Sequence, residues 1–468
     1  MFTLSQIFEL RKSDSSHPRK GVGRLFRHQN QWGVSDHTGA LWPINFVCSE
    51  TESPPAPREE AQVIFLARSH SLNSMARSKY LDFPFEIHLE LLEVAGSGGF
   101  WPKNTPSWLP DALELTQSVE KWQGNPSHPT RYFSTPFAKH FQVQQCRMQL
   151  ETQVRSFFSQ RQYLEVRTPI LVPSGGYETY MTPFETTYID RTGTTHRLQL
   201  PTSPEFGLKQ LLVQGYPRIF QMAPSFRNRA ELGSHHEPEF LMLEWYQLGS
   251  HMHQCLQETL ELIQSLQSTL GWSRIAALQP SQVSTIKVAD LLEETTGIAL
   301  KEVQDLERFR EKAKSKLTMN LSQYTWDDVF SQLFMTHCEP VLQKHPWMVL
   351  SHFPIQLGGL ALPCPKEPWL AQRFELYSHG VELCNGYQEL TCPKTLRARR
   401  EMAAKLNPSL QANLQFERAL EHGLVNCSGN ALGLDRLFQI LLGQDRVDKV
   451  KNTPFLSQFS EEETINWL

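Results

Sequence analysis

No Cys-x-x-Cys pair occurs among the eight cysteines of this 468-residue chain, which argues against a zinc ribbon. Eight cysteines are sparse for such a length, so reduced thiols in a cytoplasmic protein are expected rather than a disulfide frame. No apolar run approaches the ~20 residues that a membrane-spanning helix needs. The opening MFTLSQIFELRKSD has no uninterrupted apolar stretch and no cleavage pattern, so no secretory signal is expected. Excess positive charge is also missing. The formal net charge is -4, which excludes a globally basic nucleic-acid coat but leaves room for a local basic surface. Arg11, Lys12, Arg19, Lys20, Arg24 and Arg27 cluster near the start, where a solvated basic terminus is the plainer reading.

What is present fits an ordinary globular protein, with 40% hydrophobic and 20% charged residues. The length predicts two domains. Residues 21–26, 31–34, 40–46, 62–69 and 83–94 read as short strands, with a turn at 35–39. Five such strands suggest a small barrel of the OB type over 1–95. Trp32 and Trp42 there suit either base stacking or a core. Gly, Pro and Ser crowd 96–110, and NPSHPTRYFSTP is a second break, so 96–136 is expected to be a linker. A long helical periodicity then opens a domain over 137–468. LEVRTPIL (164–171) reads as a strand whose Pro169 points to an edge or an interface position. SPEFGLKQLLVQGY reads as a helix, with Ser203 capping, Pro204 in the first turn and Gly215 stopping it. Strands and helices in this order predict an α+β fold around an antiparallel sheet.

Three constellations carry chemistry. In FRNRAELGSHHEPEFLMLEWY, alternation along a strand puts Phe240, Met242, Glu244 and Tyr246 on one face. Arg227, Arg229, His235 and His236 precede them on a loop. Guanidinium groups recognise phosphate oxygens and a ring offers a platform for a base. A surface ion-pair loop above an ordinary sheet is the plainer alternative. In RFELYSHGVELCNGYQEL, Glu375, Glu382, Asn385 and Glu389 suit Mg²⁺ or a cationic substrate. Strict alternation would turn Glu382 away from Asn385 and Glu389. A shared site therefore requires a bulge, which Gly386 would accommodate. In GNALGLDRLFQ, Gly429 and Gly433 allow close backbone approach, and Arg436 emerges at a helix start, where phosphate is favoured.

Taken in order, a proline-bearing strand after a long helix, then FRxR…HHEPEF, then GxALGLDR resemble motifs 1, 2 and 3 of the class II aminoacyl-tRNA synthetases. The resemblance spans roughly 137–450. LEVRTPIL, TSPEFGLKQLL, ELCNGYQEL and ALGLDRL are most similar to the lysine group. That group contains lysyl-tRNA synthetases, which charge tRNA, and a paralogue that attaches lysine or β-lysine to elongation factor P. TSPE, LEWY and Ala431, where the tRNA-charging branch usually has Gly, resemble the paralogue. An OB-like front end resembles the synthetases. The resemblance implies an ATP- and Mg²⁺-dependent, AMP-forming ligase, dimeric through 137–171. It implies that Arg227, Asn228, His235, His236, Phe240, Gly433 and Arg436 hold ATP. Phe240 would stack on adenine, Arg227 would act on the α-phosphate, and Arg436 would serve catalysis as well. Glu375 and Glu382 would hold the metal. Ser203, Glu205, Glu244, Tyr246, Asn385, Glu389 and Ala431 would form the lysine pocket, with Glu205 at the backbone-type amine and Glu389 and Tyr246 at the ε-ammonium.

The chain also departs from the family pattern. Its loop FRNRAELGSHHEPEF is one residue longer than usual. Arg229 replaces an acid, Ser234 a base, and Glu237 an asparagine. An added carboxylate near phosphates is expected to weaken ATP binding unless Arg229 or Mg²⁺ compensates. The tail DRVDKVKNTPFLSQF is also unusual. A catalytically silent binding protein is therefore a third reading.

Overall fold

Alternation and helical periodicity sort the described residues into three sheets and their covering helices. The computed structural model describes the backbone of 19–28, 31–35, 41–44, 62–71 and 85–95. It further describes residues 136–177, 181–229, 232–406 and 411–458, without the side chains of 136–142 and 406. Residues 96–135 of the expected 96–136 linker, 36–39 of the expected 35–39 turn, and the side chains of Trp32 and Trp42 lie outside the described residues.

The first sheet contains β1 (Arg19–His28), β2 (Gln31–Ser35), β3 (Leu41–Ile44), β4 (Gln62–Ser71) and β5 (Phe85–Ala95). All its pairings are antiparallel, in the order β3-β2-β1-β4-β5. Its outer strands, β3 and β5, approach one another.

Helix α1 (Pro136–Gln160) leads into β6 (Leu164–Glu165). Strands β7 (Glu185–Ile189) and β8 (Thr195–Gln199) make a separate hairpin sheet. Then come α2 (Glu205–Val213), β9 (Arg218–Phe226), β10 (Glu239–Leu248) and α3 (Met252–Leu270). Strand β11 (Ser284–Lys287) precedes α4 (Val288–Thr296), α5 (Leu306–Ala313), α6 (Trp326–Leu333) and α7 (Glu339–Leu342). Strands β12 (Met348–Pro354), β13 (Leu370–Ser378) and β14 (Val381–Gln388) follow. The chain continues through α8 (Pro393–Leu406), α9 (Leu414–Glu421), β15 (Cys427–Gly433) and α10 (Leu434–Leu441).

The large sheet runs β11-β12-β13-β14-β15-β10-β9-β6. The expected antiparallel pattern holds from β12 to β9, but both outer strands pair in parallel, so the sheet is mixed. The expected 164–171 strand also shortens. After Glu165 only Val166 continues, donating to Phe220 O at 3.0 Å. Pro169 has no N–H to extend the ladder. The short β6 that remains lies at the edge of the sheet, and Pro169 lies beyond it.

Burial follows the alternation. Leu243 and Trp245 of β10 enter a core with α1, α3 and α10, where α1 contributes Leu150, Val154, Phe157 and Phe158 at helical spacing. A second cluster lies under α4 to α7, and a third joins α2 and α9 to Ile219 and Leu248. The opposite face of β10, β14 and β15 is left to line a cavity. Among the described cysteines all seven, Cys146 through Cys427, are free, as expected for reduced thiols.

Candidate active site

The cavity encloses about 220 Å³ on that open face. Phe240, Met242, Glu244 and Tyr246 of β10 all line it, as the alternation predicts. Residues Gly429, Ala431 and Gly433 of β15 pair directly with Tyr246, Glu244 and Met242, and form the floor. Ala431 also pairs with Asn385, so its methyl lies between Glu244 and Asn385. Gly429 is required: an added Cβ would meet the Tyr246 ring at 2.2 Å.

The bulge that a shared site demanded is present, but not at Gly386. The register slips where Leu376 and Tyr377 face Cys384 and Glu382, so Leu383 is the extra residue. That slip turns Glu382 to the side of Asn385 and Glu389. Gly386 serves the other face, where an added Cβ would meet the Phe374 ring at 2.3 Å.

One end of the cavity is acidic and buried. Glu205, at the start of α2, accepts from Lys209 Nζ at 2.5 Å, and Glu389, just past β14, forms an ion pair with the same ammonium at 2.5 Å. Lys209 lies in the buried stripe of α2 with Phe206, Leu208 and Leu212. Burial works against its charge, yet Glu205 and Glu389 outweigh it and hold the ammonium above its usual range. Burial lifts the Glu389 carboxyl to about 7, against the pull of Lys209. Glu244 Oε2 accepts from Tyr246 Oη at 3.1 Å. Burial, then the nearby Glu205 charge, push its pKa up to about 8. Among the buried acceptors here, Glu244 Oε1 and Asn385 Oδ1 have no hydrogen-bond donor in the protein. The Ser203 hydroxyl accepts from Glu205 N at 3.2 Å, although Pro204 takes the cap position.

The other end is basic. Arg227 follows β9, and its guanidinium lies 4.9 Å over the Phe240 ring. Arg436, in the first turn of α10, donates to His235 O at 3.1 Å and Glu382 O at 3.0 Å. It therefore braces the loop rather than pairing with Asp435. Asp435 instead receives Arg147 and accepts from Leu241 N at 2.9 Å. His235 hydrogen-bonds Gln439, and His236 lies at the exposed rim. The surrounding protein, then Arg436 and Arg227, lower His236 to about 4, so its ring is neutral near pH 7.

Two assigned residues are not brought to the cavity lining. The Asn228 amide turns to its own loop, accepting from Arg229 N at 2.9 Å. Arg229 itself adopts a left-handed backbone, φ 56°. Glu375 is buried, with Arg373 at 2.5 Å and Tyr377 Oη at 2.6 Å on its two oxygens. Burial raises its pKa to about 7; Arg373 opposes and Glu382 adds to the shift. Only Glu382 of that pair faces the cavity. Among the described residues no set of three or more His, Cys, Asp and Glu side chains forms a metal cage.

The added carboxylate is compensated within the chain by Lys451 rather than Arg229. Glu237 accepts from Lys451 Nζ at 2.7 Å and from Phe455 N at 3.1 Å. Val447 N donates to Ser234 O at 2.8 Å. The unusual tail and the unusual loop therefore fasten to each other. Sequence reasoning missed Lys451, Lys209 and Arg373. Lys209 had a signal, since Glu205 and Lys209 are spaced i, i+4 on a helix. Lys451 had none, because its partner is more than 200 positions away.

The architecture agrees with comparison against known proteins. Residues 128–456 match the model of the tRNA synthetases class II (D, K and N), and the chain belongs to that family. Within it, the chain is similar to proteins named elongation factor P–(R)-β-lysine ligase. The one from Vibrio cholerae serotype O1 is 34% identical over 331 residues, covering 68% of this chain and 97% of that protein. The one from Avibacterium paragallinarum is 35% identical over 311 residues, 65% and 92% respectively. The one from Buchnera aphidicola subsp. Schizaphis graminum is 32% identical over 319 residues, 66% and 94%. The chain is an ATP-dependent ligase of the class II synthetase type by this membership. No helix among the described residues is long and apolar enough to cross a membrane.

Proposed function

We propose that this protein activates lysine or (R)-β-lysine with ATP and transfers it to a lysine side chain of elongation factor P. One observation carries the amine assignment. Glu244 Oε1 and Asn385 Oδ1 are buried acceptors without protein donors, beside Glu205 and Glu389. Buried acceptors are satisfied in functioning proteins, so a ligand rich in N–H donors is the natural complement. Tyr246 and Glu389 suit one ammonium group, and Glu205 suits the other. The names of the relatives supply the acceptor protein.

In this reading the substrate carboxylate oxygen attacks the α-phosphorus of ATP and pyrophosphate leaves. Arg227 neutralises charge developing on the α-phosphate, and Phe240 carries the adenine. Arg436 keeps the His235–His236 loop and Glu382 at the phosphate end. The acceptor amine then attacks the activated carbonyl carbon, AMP leaves, and the amine gives up a proton. Positioning and electrostatics suffice, and no protein nucleophile is needed. Mg²⁺ would neutralise phosphate charge when bound. Its fit rests on Glu382, which faces the cavity and is close enough to raise Glu375. Hard cations of this kind use one or two carboxylates plus phosphates.

We assign 137–468 to the catalytic unit, 96–136 to a linker and 1–95 to an OB-like module. The strand order β3-β2-β1-β4-β5, with β3 approaching β5, supports a five-stranded barrel of that type. It also favours tRNA charging as the second reading. Exposed Met148, Leu164, Ile170 and Leu171 support a homodimer through 137–171. The reading places the enzyme in the cytoplasm with the translation machinery.

The test is intact-mass analysis of elongation factor P after incubation with the protein, ATP, Mg²⁺ and α- or β-lysine, with tRNA in a parallel reaction. One added lysyl mass on the factor with uncharged tRNA is expected and names the isomer. Charged tRNA and unmodified factor would move the protein to the synthetase branch. Neither product, with no pyrophosphate exchange, would leave the silent binding reading.

A further inference from the structure

Lys209 is fully buried in α2, and its side chain is 1% exposed. A lysine is almost never buried so completely unless paired. Here one ammonium meets two carboxylates from different elements: Glu205 on its own helix and Glu389 after β14, each at 2.5 Å. From β10, the Tyr246 ring lies 5.9 Å away, and Glu244 feels the same charge. These are the cavity's acidic wall. Three carboxylates against one ammonium leave two negative charges when all are ionised.

We propose that Lys209 is a specificity-determining residue of the amine pocket: by bridging Glu205 and Glu389 it holds both against their mutual repulsion and sets the wall's charge to suit a doubly charged amine. This rests on the lysine-binding reading above. Lys209 touches neither the phosphate end nor any reacting atom, so it acts through the carboxylates it positions. Without it, Glu205 and Glu389 would share a proton, and one would no longer present an anion to the substrate. A mere buttress tying α2 to β14 would behave differently. Its loss would lower stability and weaken every ligand alike.

The experiment measures binding of lysine and of ATP separately by calorimetry, for the wild-type chain and Lys209→Ala, with and without methylammonium chloride. Breaking a buried charge pair predicts about a 100-fold loss of lysine affinity, with ATP affinity within about twofold. Methylammonium, filling the vacated ammonium position, is expected to restore lysine binding, and methanol is not. Wild-type protein that binds no lysine would overturn the lysine reading, and this inference with it. Wild-type binding with lysine affinity kept in the variant would overturn the Lys209 assignment alone. Equal loss of both ligands without rescue would show a buttress and overturn it as well. If the variant does not fold, the wild-type chain labelled with ¹⁵N-lysine decides. A slowly exchanging ammonium resonance that shifts with added lysine, but not with ATP, is expected. Its absence or indifference to lysine would overturn the proposal.

Discussion

The two ends of the cavity are built in different ways. The amine end is set by strands and one helix, with Glu244, Glu389 and Lys209 each at most 1% exposed. The phosphate end is a loop held by main-chain carbonyls and by the tail, with His236 at an exposed rim. Geometry at the first end is fixed by β pairing. Geometry at the second depends on a few polar contacts that could be cut one at a time. Selectivity is therefore expected to reside where the fold is rigid, and nucleotide affinity where it is fastened.

The largest effect is expected at the rigid end. Glu389→Gln removes one carboxylate from a buried pair and leaves the Lys209 ammonium with Glu205 alone. The loss should be about 100-fold or more in kcat/KM for lysine, with little change for ATP. Lysine-dependent pyrophosphate exchange reads both constants. Unchanged lysine activation would remove Glu389 from the ε-ammonium and undo the division between the two ends.

Legibility in sequence follows the same division. Phe240, Met242, Glu244 and Tyr246 share a face because a strand alternates, and that was readable from ten residues. The need for a bulge beside Glu382 was readable too, since its face conflicted with Asn385 and Glu389. Its place was not, because Gly386 had a competing reason to be glycine, the Phe374 ring beneath it. Glu375 was assigned by motif, but Arg373 and Tyr377 claim both its oxygens, and that pairing depends on β13 geometry. The Glu237–Lys451 pair joins two segments that looked anomalous separately. Each departure from the family pattern explains the other only once the fold brings them together.

The fastened end should break more gently. Lys451→Met leaves Glu237, whose side chain is 9% exposed, with the Phe455 N–H as its remaining described donor. An uncompensated carboxylate then faces the phosphates. KM for ATP should rise about tenfold, a typical cost of a lost charged hydrogen bond, while KM for lysine stays put. Adding Glu237→Gln to Lys451→Met should recover much of the loss. No recovery would mean that Lys451 acts on Asp435, 3.7 Å away, rather than on the loop.

Acidity separates the ends as well. Glu244, raised to about 8, keeps its proton in the folded chain after the unfolded chain has lost it. The unfolded state then binds fewer protons, so this group's contribution to stability falls as pH rises from the usual glutamate range to about 8. An ammonium ligand favours the ionised form. Lysine affinity should therefore increase from pH 6.5 to about 8.5, with proton release on binding. Calorimetry in buffers of different ionisation enthalpy measures that release, and Glu244→Gln should reduce it to the part that Glu389, lifted to about 7, contributes. ATP affinity should lack this rise.

The smallest effect contrasts two glycines on one strand face. At Gly429 an added Cβ would meet the Tyr246 ring at 2.2 Å, so Gly429→Ala must displace that ring. Overpacking of this kind costs about 1–3 kcal/mol, and here it should appear in lysine affinity as well as melting temperature. At Gly433 the nearest described contact would be the Arg436 side chain at 3.7 Å, and the backbone φ of -69° suits any residue. Gly433→Ala should therefore change stability by less than about 0.5 kcal/mol. Only a ligand could need the missing methyl there. A variant with an unaltered melting temperature but a raised KM for ATP would put nucleotide against Gly433. Unaltered constants for both substrates would take Gly433 out of the site and leave the phosphate end to Arg227, Arg436 and the loop.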